Sequence, residues 1–457
     1  MSQRVAQRFE TYTQAIVAAL GHADRHQPAQ WYLQGLLLPG ERKSVEPMAA
    51  RVCPANVRSA HQSMHHLVAT AEWDDTAVLA AVAAQVVPTL LQDAASWWWI
   101  LDDTAHVKYG QHSVGVARQY CGRLGKTENC QVAVSLSLAT AAGSLPLAYQ
   151  LYLPEAWTDD RARCERAGVP PTVAFQTKGE IARTQIAAAL AQGIPPGVVL
   201  ADAAYGDETA FREWLTELAL PYVLGVRTGT SVWWGPHQPA PMPPPPGRGR
   251  PRTRLLHDAA HPPIRVRELA HQLPTTSWRT LSWREGTQGP LRSRFARVRV
   301  RAAHRQQARA EEWLLIEWPG GEAAPTHYWL ATLPATLSLR ELVAHAKGRW
   351  MIERDYQELK SELGLSHYEG RNWRGFHHHA TLCIAAYGFL LLERFRQKKK
   401  RRPRFPAPPV PPGFRPRGAG SAPTARPLVD RDRPVSARAR PGPRPAAVPV
   451  LRHRTAR

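Results

Sequence analysis

Ser96-Trp97-Trp98-Trp99-Ile100-Leu101-Asp102-Asp103 is a short apolar run that stops on two acids. It is too short for a helix and rich in aromatic residues, so it reads as a buried strand, and the texture of the chain changes there. Upstream, Phe9, Tyr12, Ile16, Ala19 and Leu20 recur at three- and four-residue steps, as do the apolar positions of Ala77–Val87, so residues 1–95 read as a helical region. Leu38-Pro39-Gly40 and Pro54 divide it into pieces. Downstream, Gln131–Thr140 alternates in part with period two, Ala142-Gly143-Ser144 can turn the chain, and Leu145–Leu153 returns as a second strand, which makes a hairpin. A helix over Lys178–Ala191 follows, opened by Thr177 and Glu180 in capping-box positions. Val198-Val199-Leu200-Ala201-Asp202 is a second buried strand that ends on an acid, followed by a helical Glu208–Leu218 and an extended Pro221–Val226. The order strand, hairpin, helix, strand, helix, strand predicts an α/β fold whose mixed sheet carries packed helices.

Residues 96–226 and 336–395 are thus expected to form one core interrupted by an insertion. Between them, 227–335 is strand-like and irregular, with Trp233, Trp234, Trp278, Trp283, Trp313, Trp318 and Trp329, and reads as a β-rich insertion whose tryptophans are mostly core. Its segment 239–254 (PAPMPPPPGRGRPRTR) reads as a polyproline-like loop. Helical periodicity resumes at Leu339, again with a capping box at Ser338 and Glu341, and runs to about Leu363; a last helix covers His379–Phe395. His377, His378 and His379 cannot chelate one ion together, because neighbours on a helix point apart, so a structural or DNA-edge role is expected.

The chain has 457 residues, with 59 Lys+Arg against 37 Asp+Glu, a formal charge of +22 that makes a polyanion the default partner. The excess is concentrated: residues 396–457 hold 18 Lys+Arg, two acids and 14 prolines, which accounts for +16 of the +22. That tail has almost no aliphatic periodicity and reads as disordered, with nonspecific phosphate binding and a passive or out-of-family extension as equally open readings. A hydrophobic fraction of 44% with 16 Trp excludes wholesale disorder of the rest. The absence of any apolar run of 18 or more residues excludes a membrane helix. No signal-peptide run opens the chain, and five cysteines without a CxxC pair suit a reduced compartment. A cytoplasmic, nucleoid-associated protein is expected.

The chemical signal is three acids. Asp102 and Asp202 each follow a predicted strand, and Glu353 lies in the helix after the insertion. Functional groups of open sheets gather beyond the carboxyl ends of strands, where two carboxylates could meet and a crossing helix could bring a third. Three clustered carboxylates stay ionised only beside a cation, and Mg²⁺ suits carboxylate oxygens with phosphate, with Mn²⁺ as a possible substitute. Two such ions would serve phosphodiester chemistry. Arg349, Glu353, Tyr356 and Lys360 fall at steps of 4, 7 and 11, which places them in a stripe about 60° wide on one helix face. Two cations and a phenol flanking a carboxylate would suit a DNA backbone, Arg349 and Lys360 each meeting a phosphate. Lys108, Arg118 and Lys126 are expected in the loop after the first strand, where contact with phosphate and plain solvation are equally open.

Asp102-Asp103-Thr104, His112-Ser113-Val114-Gly115-Val116-Ala117-Arg118-Gln119-Tyr120-Cys121-Gly122 and Leu200-Ala201-Asp202-Ala203-Ala204-Tyr205-Gly206-Asp207 resemble segments of DDE transposases of bacterial insertion sequences. The likeness is to the insertion-sequence-701-type group, related to the fourth insertion-sequence family. Arg349-Trp350-Met351-Ile352-Glu353 with Lys360 is similar to that superfamily's Tyr-x2-Arg-x3-Glu-x6-Lys signature, though Ala346 stands where its Tyr would fall. The segments 364–375 and 42–51 resemble the same group, and the similarity spans about residues 8–395. It implies an RNase H-like core in which Asp102, Asp202 and Glu353 hold two Mg²⁺ ions. It also implies an enzyme that binds terminal inverted repeats of double-stranded DNA, hydrolyses a phosphodiester and transfers the strand to a target, working as a homodimer with residues 1–95 binding the ends. Only one of Asp102 and Asp103 can point into such a site, and the Asp-x-Thr pattern of the group favours Asp102. A DNA-binding nuclease, an inactive remnant and a non-catalytic basic nucleic-acid-binding protein are the alternatives.

Overall fold

The computed structural model describes residues 3–122, 124–235, 262–286, 289–304 and 309–401. The chain divides into two units, Met1–Arg402 and Pro403–Arg457, and all described residues belong to the first. The loop 239–254 and the expected disorder of the tail from 402 onward lie outside the described residues.

Helices come first: α1 (Gln3–Ala18), α2 (His26–Leu37), α3 (Val45–Val52), α4 (Val57–Ala69) and α5 (Asp75–Leu91). The Asp74 side chain accepts from the Thr76 N–H to start α5, and the breaks fall at the Leu38-Pro39-Gly40 and Pro54 segments, as the composition predicts. The sheet then opens with β1 (Trp97–Val107), β2 (Ala117–Cys121), β3 (Lys126–Thr140) and β4 (Gly143–Tyr152). Short α6 (Glu155–Thr158) and α7 (Arg161–Arg166) lead to α8 (Lys178–Ala191), where Thr177 and Glu180 form the expected capping box. Next are β5 (Val198–Ala201), α9 (Ala203–Gly206), α10 (Thr209–Glu217) and β6 (Tyr222–Val226). The insertion supplies β7 (Ser231–Trp233), β8 (Ile264–Arg265), α11 (Val266–Gln272), β9 (Arg279–Gly286), β10 (Gly289–Ala302), β11 (Glu312–Pro319) and β12 (His327–Ala331). The chain ends in α12 (Leu339–Lys347), α13 (Trp350–Ser361) and α14 (Trp373–Arg401).

Among the described residues the strands form one mixed sheet in the order β2-β3-β1-β5-β6-β12-β11-β10-β7-β8, with β4 on β3 and β9 on β10. β1 is parallel to β5, β5 is parallel to β6, and the remaining pairings are antiparallel. The strands of the segment expected to be an insertion continue the same sheet directly: β12 pairs with β6 from Tyr328 opposite Val226 to Ala331 opposite Val223.

Four details differ from the sequence reading. β1 does not stop at Asp102, because β3 continues beside it to Val107 opposite Cys130. Lys108 is thereby carried past the strand end, while Arg118 lies in β2 and Lys126 opens β3, so these cations are not in one loop. The predicted helix Leu339–Leu363 is two helices, α12 and α13, joined at Gly348 and Arg349. The last helix starts at Trp373 and continues to Arg401, beyond the expected end at Phe395.

α14 is nearly all apolar through its middle, and it is buried against the N-terminal helices. The Tyr12 hydroxyl donates to the Ala385 carbonyl at 2.7 Å, and Phe9 and Tyr12 pack on the Phe389 ring. The three consecutive histidines point apart as expected, and each has its own partner. His377 Nε2 accepts from the Leu151 N–H, His378 Nδ1 lies 3.0 Å from Asp75, and His379 Nδ1 lies 2.8 Å from the Tyr32 hydroxyl. All three are buried, which favours the structural role over the DNA-edge one.

Candidate active site

The parallel pairing of β1 with β5 involves only Trp98–Ile100 on β1 and Val198–Leu200 on β5. β5 ends at Ala201, and the chain then turns away because the Asp202 carboxylate accepts from the Ala204 N–H at 2.9 Å and starts α9. Asp102 thus lies inside β1 in sequence terms yet just beyond the carboxyl end of the β1–β5 parallel pair. The two acids flank the gap that opens there.

Adjacent residues of a strand face opposite sides of the sheet, and β1 uses this to separate its two acids. Asp103 is occupied on its own side: Lys178 Nζ and the Tyr205 hydroxyl each donate to it at 2.5 Å. Asp102 instead receives Arg349, whose Nη2 lies 2.6 Å from Oδ1, while Nη1 of the same guanidinium is 3.8 Å from Asp202 Oδ2. The structure therefore turns Asp102, not Asp103, toward Asp202.

Burial pushes the Asp102 carboxyl up to about 6, and the neighbouring Asp103 and Asp202 carboxylates act in the same direction against the opposing pull of Arg349. Arg349 is held above its ordinary value by Asp102, Asp202 and Glu353, which together outweigh its burial. Glu353 therefore contributes to the same electrostatic site, although it is exposed. Among the described residues, no three His, Cys, Asp or Glu side chains stand close enough to hold one ion, so the expected triad does not converge on a point. A guanidinium lies between two of its members.

The donor set nonetheless fits a hard divalent cation. One carboxylate lies in β1 and is desolvated, the other directly follows β5, and a positive group is already drawn between them.

Several contacts fix the α12–α13 junction over this gap. A Cβ on Gly348 would meet Leu200 Cδ1 at 3.1 Å and Trp98 Cε2 at 3.3 Å, so the junction lies directly on β1 and β5. The Trp98 indole N–H donates to His345 Nδ1 at 2.8 Å. Lys347 pairs with the buried Glu317 at 2.5 Å while its ammonium stands 4.5 Å from the Trp283 ring centre and 5.4 Å from that of Trp329. Sequence reading missed these anchors, although a small residue directly before Arg349 is a signal of close backbone approach.

The remaining expected residues are placed differently. Tyr356 lies on the inner side of α13, only 4% exposed and beside Ser135 and Ser137, so it does not face DNA as the stripe predicted. The predicted stripe is not one exposed face: Glu353 is exposed, whereas α13 packs on β3 and β4 and the Tyr356 phenol fills that contact. Lys360 is partly exposed near the far end of α13. Lys108 donates to the Tyr368 carbonyl at 2.9 Å and lies six residues beyond Asp102, roughly 20 Å along an extended strand. Arg118 is exposed on β2. Ala346, at the position of the signature's Tyr, is buried.

The sequence profile of the DDE superfamily endonucleases matches residues 16–290, more than half of the chain. That span contains Asp102, Asp103 and Asp202, and Glu353 lies beyond it. The chain is also 31% identical over 172 residues to the probable transposase for insertion sequence element IS701 of Microchaete diplosiphon. The matched part is 37% of this chain and 42% of that protein, so the chain spans less than half the length of this curated relative. No helix among the described residues is long and apolar enough to cross a membrane.

Proposed function

We propose, because this chain belongs to the DDE superfamily of endonucleases, that it is the transposase of an insertion sequence. It would bind the terminal inverted repeats of its element, cut them and join them to target DNA. The observation that carries this reading is the approach of Asp102 and Asp202 to one guanidinium at the carboxyl end of the β1–β5 pair. The mixed sheet with parallel β1, β5 and β6 and the antiparallel β1-β3-β4 arm supports an RNase H-like core.

Asp102, Asp202 and Glu353 are the residues that would hold two divalent ions, Mg²⁺ or in its place Mn²⁺. Bound there, such ions supply activation of the attacking oxygen and charge neutralisation at the leaving oxygen of an in-line displacement. The chain's own groups set the geometry. Asp102 and Asp202 are fixed by β1 and the α9 turn, and Glu353, on α13, acts on the same site through the charge of Arg349. Arg349, seated at the acid pair, and Lys360, partly exposed toward the far end of α13, are the cations that would meet phosphates.

DNA ends have a second candidate surface. A cavity of about 1130 Å³ between α2, α3, α4, α7 and residues 367–372 is lined by Arg42, Arg163, Arg166 and Arg371 against three acids, while the Lys43 ammonium in its wall is bound to the Leu36 and Leu38 carbonyls. This supports assigning end binding to the N-terminal helices. Joining two ends in one event calls for a homodimer.

The test is cleavage of the duplex DNA that flanks the gene, assayed with Mg²⁺ below saturation across pH. Asp102 would hold a cation only when ionised, and its carboxyl is raised to about 6. Activity is therefore present above that pH and falls about tenfold per unit as pH drops below it. A rate that stays flat from about pH 5 to pH 8 contradicts the role of Asp102.

A further inference from the structure

Arg349 is built into the acid pair more firmly than a surface cation kept for phosphate needs to be. Its two terminal nitrogens reach Asp102 at 2.6 Å and Asp202 at 3.8 Å, and Glu353, four residues on, acts on the same charge. The side chain is 30% exposed, and its Nε is buried with no hydrogen-bond partner. The guanidinium therefore gives up water at that atom and recovers the loss through the two carboxylates. The backbone from which it projects is pinned by Gly348 against Leu200 and Trp98, and by Lys347 against Glu317.

We infer that Arg349 is a resident counter-cation of the acid pair, which holds Asp102 and Asp202 in place and competes with divalent ions for them. This rests on the reading of these acids as a metal-dependent site. A guanidinium and a divalent cation repel each other, and both cannot occupy the gap between the same carboxylates. Ion entry then requires the Arg349 side chain to leave Asp102. A long, unbranched side chain can do so by rotamer change alone, with the α12–α13 junction still seated on the sheet. The displaced guanidinium is then free to meet a DNA phosphate, so that metal loading and DNA contact are coupled through one residue.

The experiment is calorimetric titration of Mn²⁺ into the full chain without DNA, comparing wild type, Arg349→Met, Arg349→Lys and Asp202→Asn. Arg349→Met keeps most of the side-chain length without the charge, and it is expected to bind Mn²⁺ at least about tenfold more tightly than wild type. Arg349→Lys cannot span both carboxylates and is expected to bind a few-fold more tightly. It carries the test if the Met variant fails to fold, which thermal melting in chelator detects. Asp202→Asn is expected to weaken binding, which locates the ion at this site. Equal or weaker Mn²⁺ affinity in the folded Arg349 variants overturns the counter-cation role and leaves the proposed function standing. Absence of Mn²⁺ binding from every variant, or binding unchanged by Asp202→Asn, overturns both.

Discussion

Asp202→Asn is expected to lower the rate of DNA cleavage by at least about 10³-fold, because losing several kcal/mol of transition-state charge stabilisation costs that much. The substitution isolates charge from shape. The Asn oxygen can still accept from the Ala204 N–H, which starts α9, so the turn after β5 is kept. The Asp202 side chain is 44% exposed and its approach to Arg349 is a loose 3.8 Å, so the change in folding stability is expected to stay within about 1 kcal/mol. Binding of terminal DNA, measured by mobility shift, is expected to be largely unchanged, since the N-terminal helices are untouched. Cleavage within tenfold of wild type would show that Asp202 holds nothing the reaction needs.

Gly206→Ala is expected to damage both stability and activity through a single backbone contact. A Cβ built on Gly206 would fall 1.8 Å from the Gly225 carbonyl oxygen and 3.0 Å from Leu224 Cβ. Backbone of the central strand β6 cannot yield as a flexible side chain would, so α9 must move. Overpacking of this kind costs about 1–3 kcal/mol or more. The Gly206 N–H donates to the Asp202 carbonyl at 2.9 Å, so displacing the turn displaces the acid. A misplacement of about 1 Å at a reacting centre costs on the order of 10²-fold in rate. Denaturant unfolding checks the first effect and cleavage kinetics the second. Gly229→Ala is the matched control, because a Cβ there meets nothing within 4 Å. Equal midpoints for the two variants would contradict the close-approach argument.

What could be read from sequence was what local chemistry decides. Both capping boxes, at Thr177 and Ser338, appear where the residue pairs place them. The Trp97–Leu101 and Val198–Ala201 runs are neighbouring strands, and the acids that follow them approach the same group. What could not be read was decided by partners distant in sequence. β1 continues through two acids because β3 supplies a partner up to Cys130. The helix tightens into three-residue turns at Gly348 and Arg349, where the backbone lies close to Trp98 and Leu200. Tyr356 is drawn inward by β3, against an amphipathic pattern that left either side possible. Asp103 is set apart from Asp102 by Lys178 and Tyr205, residues 75 and 102 positions away. The position of Arg349 between two acids depends on all of these contacts at once, which is why spacing alone suggested a phosphate clamp.

Glu353 bears the heaviest part of the account. It lies outside the matched family span, it is exposed, and its link to the site is its charge on Arg349. The most direct test is Mg²⁺-dependent cleavage of the gene-flanking DNA by wild type and Glu353→Gln, with end binding measured in parallel. Wild-type cleavage is expected to be abolished by chelator, and the variant is expected to keep full end binding with cleavage reduced by at least about 10³-fold. Cleavage by Glu353→Gln at the wild-type rate would contradict the assignment of Asp102, Asp202 and Glu353 as one metal-holding set.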